Sequence, residues 1–97
     1  MITRTNFQML KEFDKEFKPE ERGVLSGDEA DRVSKALLID ERTLIDLRNL
    51  RDFVVMFYHI SDEEWEKDHK KCMDRSDKCS GIVAVIDHRI FNMGGEV

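Results

Sequence analysis

The chain of 97 residues is long enough for one domain and too short for a large core. It carries 21 acidic and 16 basic residues, a formal net charge of −5. This balance disfavours direct binding to nucleic acids or anionic membranes, because both need a basic protein surface. The apolar residues are clustered and periodic although 38% of residues are charged. We therefore expect a single folded domain over residues 1–97 rather than a disordered chain.

The cellular compartment is predicted from the first residues and the cysteines. The start, MITRTNFQML, contains no apolar stretch of the kind found in secretory signal peptides. No apolar run approaches the ~20 residues that span a bilayer. Two cysteines without an export signal indicate reduced thiols. We expect a cytoplasmic protein that does not enter a membrane.

Helix starts are marked by capping boxes, in which Ser or Thr caps a helix and Glu or Gln three residues later returns the hydrogen bond. This pattern occurs at Thr5, Ser26 and Ser61, and Asp40 is a fourth candidate cap. Apolar residues follow each cap at spacings of three and four, as on one face of a helix. The sequence therefore predicts four helices that begin at these residues, the first of which ends before Pro19.

The segment 82–86 is ambiguous, because its β-branched residues are typical of a buried strand. Apolar residues nevertheless recur at helical spacing from position 83 to position 93, and Ser80 could cap this fifth helix. The segment 53–60 has the same ambiguity. We favour helices, and so an all-α compact bundle of four to five short helices. The alternative is an α+β fold with a two-stranded sheet from 53–60 and 82–86.

The third predicted helix, which follows Asp40, is apolar on all sides between positions 53 and 58. A helix of this kind must be buried on every side. Either the monomer core covers it completely, or an interface between subunits covers the part that the core leaves exposed. The candidate oligomer interface consists of Phe53, Val55, Met56 and Tyr58.

Histidine and cysteine side chains near the end of the chain are weak candidates for zinc ligands: His69, Cys72, Cys79 and His88. Zinc sites usually draw their ligands in pairs two to four residues apart, and this set lacks such pairs. A Cys72–Cys79 disulfide would require the chain to turn back between the two cysteines. Cys72 is expected near a helix C-terminus and Cys79 in a loop, so neither is predicted to be catalytic. We expect no metal and no cofactor.

Other patterns associated with catalysis or nucleotide binding are missing from the sequence. There is no G-x-x-x-x-G-K-[ST], no G-x-G-x-x-G and no G-x-S-x-G. The charges that follow Ser61 run from acidic to basic, as the helix dipole favours. Arg48 and Arg51 share a helix face and are candidates for binding an anion. The sequence as a whole predicts a protein that is not an enzyme.

The acidic stretch between positions 28 and 41 suggests a surface for binding a protein partner, with these candidates: Asp28, Glu29, Asp31, Asp40 and Glu41. We predict a small acidic protein-binding module, an adaptor, regulator or inhibitor of a larger complex. One version is a phage-type inhibitor of a host nucleic-acid enzyme or defence nuclease, whose carboxylates occupy a basic channel in place of phosphates. The alternatives are a regulator that binds a small ligand or zinc, and a structural homo-oligomer.

Overall fold

The computed structural model describes residues 5–18 and 25–95. Within these ranges the chain forms α1 (Asn6–Glu16), α2 (Gly27–Ala36), a 3₁₀ turn (Ile39–Glu41), α3 (Leu44–Phe57), α4 (Asp62–Lys67) and α5 (His69–Asn92). The described residues contain no strand, which confirms the all-α bundle. The two-stranded alternative is wrong, because 53–60 comprises the end of α3 and its exit, and 82–86 lies inside α5. None of the described helices is long and apolar enough to cross a membrane.

Three of the predicted helix starts are where the sequence places them. The hydroxyl of Thr5 and the hydroxyl of Ser26 each accept a backbone N–H three residues on, at 3.1 and 3.2 Å. The carboxylate of Glu29 accepts the backbone N–H of Ser26 at 3.0 Å, which completes that capping box. Ser61 caps α4 by accepting the backbone N–H of Glu64 at 3.2 Å. Pro19, which was expected to follow the first helix, lies outside the described residues.

The prediction that Asp40 caps the third helix is wrong. Asp40 lies in the 3₁₀ turn, and α3 is capped by Thr43, whose hydroxyl accepts the backbone N–H of Asp46 at 3.2 Å. The turn buries Ile39, which is 1% exposed, and the preceding Leu38 reverses the chain with a positive φ of 53°. Burial of Ile39 therefore moves the helix start beyond Asp40.

The predicted boundary between a fourth and a fifth helix is also wrong. The chain leaves the helical conformation at Asp68, with φ −153° and ψ 86°, and then runs as a single helix of 24 residues. The carboxylate of Asp68 caps this helix by accepting the backbone N–H of Lys71 at 3.1 Å. Ser80 lies in the middle of α5 and caps nothing. The helix continues because its buried face continues, through Cys72, Ile82, Ile86 and Ile90.

The helix α5 packs against α2, α3, α4 and the 3₁₀ turn, and its largest contact is with α3. The two helices are antiparallel, since Leu44 at the start of α3 lies beside Gly95, and the end of α3 lies beside Arg75. The core shared by α1, α2, α3 and α5 includes fully buried aliphatic side chains, each stabilising the fold by about 1.5–3 kcal/mol: Leu10, Val33, Leu37, Leu47, Leu50, Val54, Ile82, Ile86 and Ile90.

A buried polar cluster joins α1, α3 and α5. Tyr58 is only 4% exposed, and its hydroxyl donates to the carboxylate of Asp14 at 2.8 Å. The ammonium of Lys78 donates to the same carboxylate oxygen and to the backbone carbonyl of Asp14, both at 3.1 Å. Burial raises the pKa of Tyr58, and its bond to Asp14 raises it further. Tyr58, predicted at an oligomer interface, thus lies in the monomer core.

Candidate protein-binding groove

An open groove of about 370 Å³ lies between α2, the 3₁₀ turn and α5. Small and aliphatic residues form its floor, namely Leu25, Ile39, Gly81, Ala84 and Val85. Asp31 and Asp40 stand on the side of α2 and the turn, and His88 and Arg89 stand on the side of α5. The groove therefore combines an apolar floor with charged edges, the usual composition of a site that binds another molecule.

The floor depends on a glycine inside a helix. A Cβ atom at Gly81 would lie 2.9 Å from Cδ2 of Leu25, closer than real Cβ contacts. Glycine in a helix interior costs about 1 kcal/mol relative to alanine. Here it lets Leu25 lie directly on α5 and close one part of the floor.

The acidic edge of the groove is only loosely paired with its own cation. The carboxylate of Asp40 lies 3.7 Å from Nε of Arg89, which is too long for a hydrogen bond, and the Asp40 side chain is 73% exposed. The Nε atom of Arg89 is buried and finds no hydrogen-bond acceptor among the described residues. The sequence does not single out Arg89, because its place beside Asp40 depends on how the turn packs against α5.

The five predicted partner-binding acids have different surroundings. Asp31 lines the groove, and the exposed Asp28 lies one turn before it on the same face of α2. Glu41 is exposed but does not line the groove. Glu29 is buried and closes the capping box with Ser26, so its carboxylate is not presented to a partner. We define the acidic edge as Asp31 and Asp40, the two predicted acids that line the groove.

The predicted anion-binding arginines lie on α3, away from the groove. Nε of Arg51 donates to the carboxylate of Asp87 on α5 at 2.7 Å, so its charge is compensated within the chain. Arg48 is exposed one turn earlier on α3. This placement gives Arg51 a role in joining α3 to α5.

The weak metal candidates all lie along α5 and are not brought together. His69 and His88 are 19 residues apart, or about 28 Å along the helix axis. Cys72 and Cys79 are two turns apart, about 10 Å, so they cannot form a disulfide, and both are free thiols. Among the residues that the structure describes, no group of three or more His, Cys, Asp and Glu side chains is placed to hold a metal ion.

Neither thiol has the surroundings predicted from the sequence. Cys72 is buried in the first turn of α5 rather than near a helix C-terminus. Cys79 lies in the middle of the same helix rather than in a loop. Burial raises the pKa of the Cys79 thiol, although Arg51 acts in the opposite direction. A raised pKa disfavours the thiolate, the form that acts as a nucleophile.

The remaining interface candidates differ in exposure, because two of them face solvent and the third lies at the edge of the core. Val55 and Met56 are 47% and 68% exposed, so the part of the chain that the structure describes does not cover them. Phe53 is half-buried, with its ring centroid 6.3 Å from that of Phe57. The core thus covers only one side of the apolar segment 53–58.

Comparison of the chain with protein-family models, with curated proteins and with solved structures finds no match.

Proposed function

We propose that this protein is a non-enzymatic protein-binding module that holds a basic segment of its partner in the groove between α2, the 3₁₀ turn and α5. One observation carries the proposal. Asp31 and Asp40 belong to separate elements, yet their carboxylates stand at the edge of a single groove with an apolar floor. An apolar side chain of the partner would enter the floor, and a neighbouring Lys or Arg would meet the acidic edge.

The charge of the whole chain supports a basic partner. A net charge of −5 favours the approach of basic proteins over that of acidic ones. The carboxylate of Asp40 is mostly exposed, and its ion pair with Arg89 is long, at 3.7 Å. A cation from a partner can therefore approach this carboxylate at little cost in free energy. A regulator or inhibitor of a basic nucleic-acid-binding complex fits this chemistry, with carboxylates in the place of phosphates.

Affinity capture with matched variants tests the proposal. The double variant Asp31→Asn, Asp40→Asn removes two charges from the groove, and the control Asp62→Asn, Glu63→Gln removes two exposed charges from α4. We expect the natural protein and the control to retain a basic protein from a cell lysate, with release as the salt concentration rises. The groove variant should retain much less.

A second variant tests the floor independently of the acids. Ala84→Arg places a long cationic side chain in the groove at an exposed position of α5. We expect it to abolish retention while circular dichroism shows unchanged helix content. Equal retention by the groove variants and the control, or retention that does not respond to salt, would contradict the proposal.

A further inference from the structure

The solvent-facing side of α3 carries a regular row of exposed residues. Ile45, Asn49, Asp52 and Met56 follow one another at spacings of four, three and four. This is the spacing of the seam along which two helices pack in a coiled coil. Ile45 is 71% and Met56 68% exposed, so the described residues leave both apolar ends of the row uncovered.

The row has the same spacing in both directions along the helix. If a second α3 lies antiparallel to the first, with a two-fold axis between positions 50 and 51, Ile45 meets Met56 of the second copy. Asn49 then meets Asp52 of the second copy, so that an amide donates to a carboxylate. The axis repeats both contacts, as in the self-complementary interface of a symmetric dimer.

The charges distinguish this arrangement from a parallel one. Arg48 precedes Asn49, and in the antiparallel pair its long side chain lies within reach of Asp52 of the second copy. In a parallel pair in register, Arg48 would face Arg48 and Asp52 would face Asp52, which is repulsive. Val55, which is 47% exposed, adds apolar area beside the row. The face is thus complementary to itself in one orientation.

We propose that the exposed face of α3 (Ile45, Arg48, Asn49, Asp52, Val55 and Met56) is the interface of an antiparallel two-fold homodimer. The helix has 14 residues and is about 21 Å long, so the buried area falls in the small class that gives weak association. None of these residues lines the groove between α2 and α5. The dimer therefore presents two open grooves and binds a partner with repeated sites more tightly than one copy does.

Charge reversal at two positions tests the interface. In a homodimer of either Arg48→Glu or Asp52→Arg, positions 48 and 52 of opposite copies carry charges of the same sign. The two-fold axis repeats this repulsive contact. We expect each variant to dissociate at least ~10-fold more readily than the natural protein in sedimentation equilibrium up to about 1 mM. In an equal mixture of the two variants both charge pairs become attractive, so dimers should return. The control variants Glu63→Lys and Lys67→Glu, which reverse an exposed ion pair on α4, should dimerise normally.

Three results would overturn the proposal. They are a natural protein that stays monomeric at about 1 mM, a dimer that survives both reversals, and a mixture that fails to restore association. If circular dichroism shows that a reversed variant has lost helix, Ile45→Lys replaces it with the same expectation. Retention of a partner in the lysate experiment depends on Asp31 and Asp40, so each proposal can fail without the other.

Discussion

Replacement of Tyr58 by Phe removes one hydroxyl from the polar cluster that joins three helices. The ring remains, so no cavity opens in a position that is 4% exposed. The lost bond is the 2.8 Å donation to the carboxylate of Asp14. Lys78 continues to donate to the same carboxylate, so the negative charge keeps a partner.

The expected loss of stability follows from the nature of this bond. A hydrogen bond to a charged group contributes about 1.5–3 kcal/mol. The side chain of Asp14 is 34% exposed and can recover part of the bond from water, which places the loss near the lower limit. We therefore expect Tyr58→Phe to reduce the free energy of unfolding by about 1.5 kcal/mol at pH 7. In a chain of this length, this lowers the melting temperature by roughly 6–12 °C.

The pH dependence provides a second and sharper test. The pKa of Tyr58 is raised in the folded protein, first by burial and then by its bond to Asp14. The unfolded chain loses the phenol proton as pH rises through about 10, whereas the folded chain keeps it. Its stabilising contribution is thus complete below pH 10 and declines above it, by about 1.4 kcal/mol for each pH unit. The natural protein and Tyr58→Phe should have nearly equal stability at about pH 11.

Urea unfolding of both proteins at several pH values measures this difference directly. The chain contains a single tyrosine, so the ultraviolet absorbance of tyrosinate follows the ionisation of Tyr58 alone. Ionisation in the folded protein should be delayed well beyond pH 10. Equal stability of the two proteins at pH 7 would refute the reasoning, as would a difference that stays constant from pH 7 to pH 11.

Three other predictions concern α5. Arg75→Leu should destabilise the protein by about 1 kcal/mol, because Arg75 donates to the backbone carbonyl of His59 at 2.9 Å. Urea unfolding at pH 7 measures the free energy of unfolding, and an unchanged value would show that water replaces the bond. Gly81→Val should lower the free energy of unfolding by about 1–2 kcal/mol, because the Cβ of the new side chain would lie 2.9 Å from Leu25. A variant that is more stable in urea would mean that Leu25 moves aside without cost. Cys79 should react with iodoacetamide more slowly in the native protein than in urea, because its partial burial raises the pKa of the thiol. Mass spectrometry of the alkylated protein measures the two rates, and equal rates would contradict this prediction.

The helix starts that were predicted correctly depend on atoms close together in sequence. At Thr5 and Ser26 the capping interactions close within four residues, so the pattern is visible without a fold. Asp40 and Ser80 have equally suitable side chains for capping, yet neither begins a helix. Tertiary packing decides where the helix begins in both cases. The burial of Ile39 holds Asp40 in the 3₁₀ turn, and the continuous buried face of α5 keeps Ser80 inside that helix. The seven-residue spacing of positions 72, 79 and 86 was a sequence signal for that longer helix.

The groove could be predicted only in part. The local density of acidic residues predicts Asp31 and Asp40 as partner-binding residues. That both line one groove depends on how the 3₁₀ turn packs, which no local sequence pattern encodes. For Glu29 the sequence supports two incompatible predictions, a capping box with Ser26 and a contact with a partner. The structure has the capping box, so this carboxylate is not presented to a partner. Packing between α2 and α5 decides which side chains α5 contributes to the groove, including Arg89. The lining residues of the two helices are about fifty residues apart in the sequence, so no local pattern predicts them.

The order of the helices has a consequence for synthesis on the ribosome. The helix that completes the core, α5, is the last of those described, and at about 36 Å it runs nearly the full 39 Å length of the molecule. Until Ile82, Ile86 and Ile90 have emerged from the ribosome, the apolar faces of α2 and α3 lack the helix that covers them, and exposed apolar surface of this kind is prone to aggregation. A stop codon before position 80 would therefore yield an unfolded, protease-sensitive polypeptide rather than a smaller working domain.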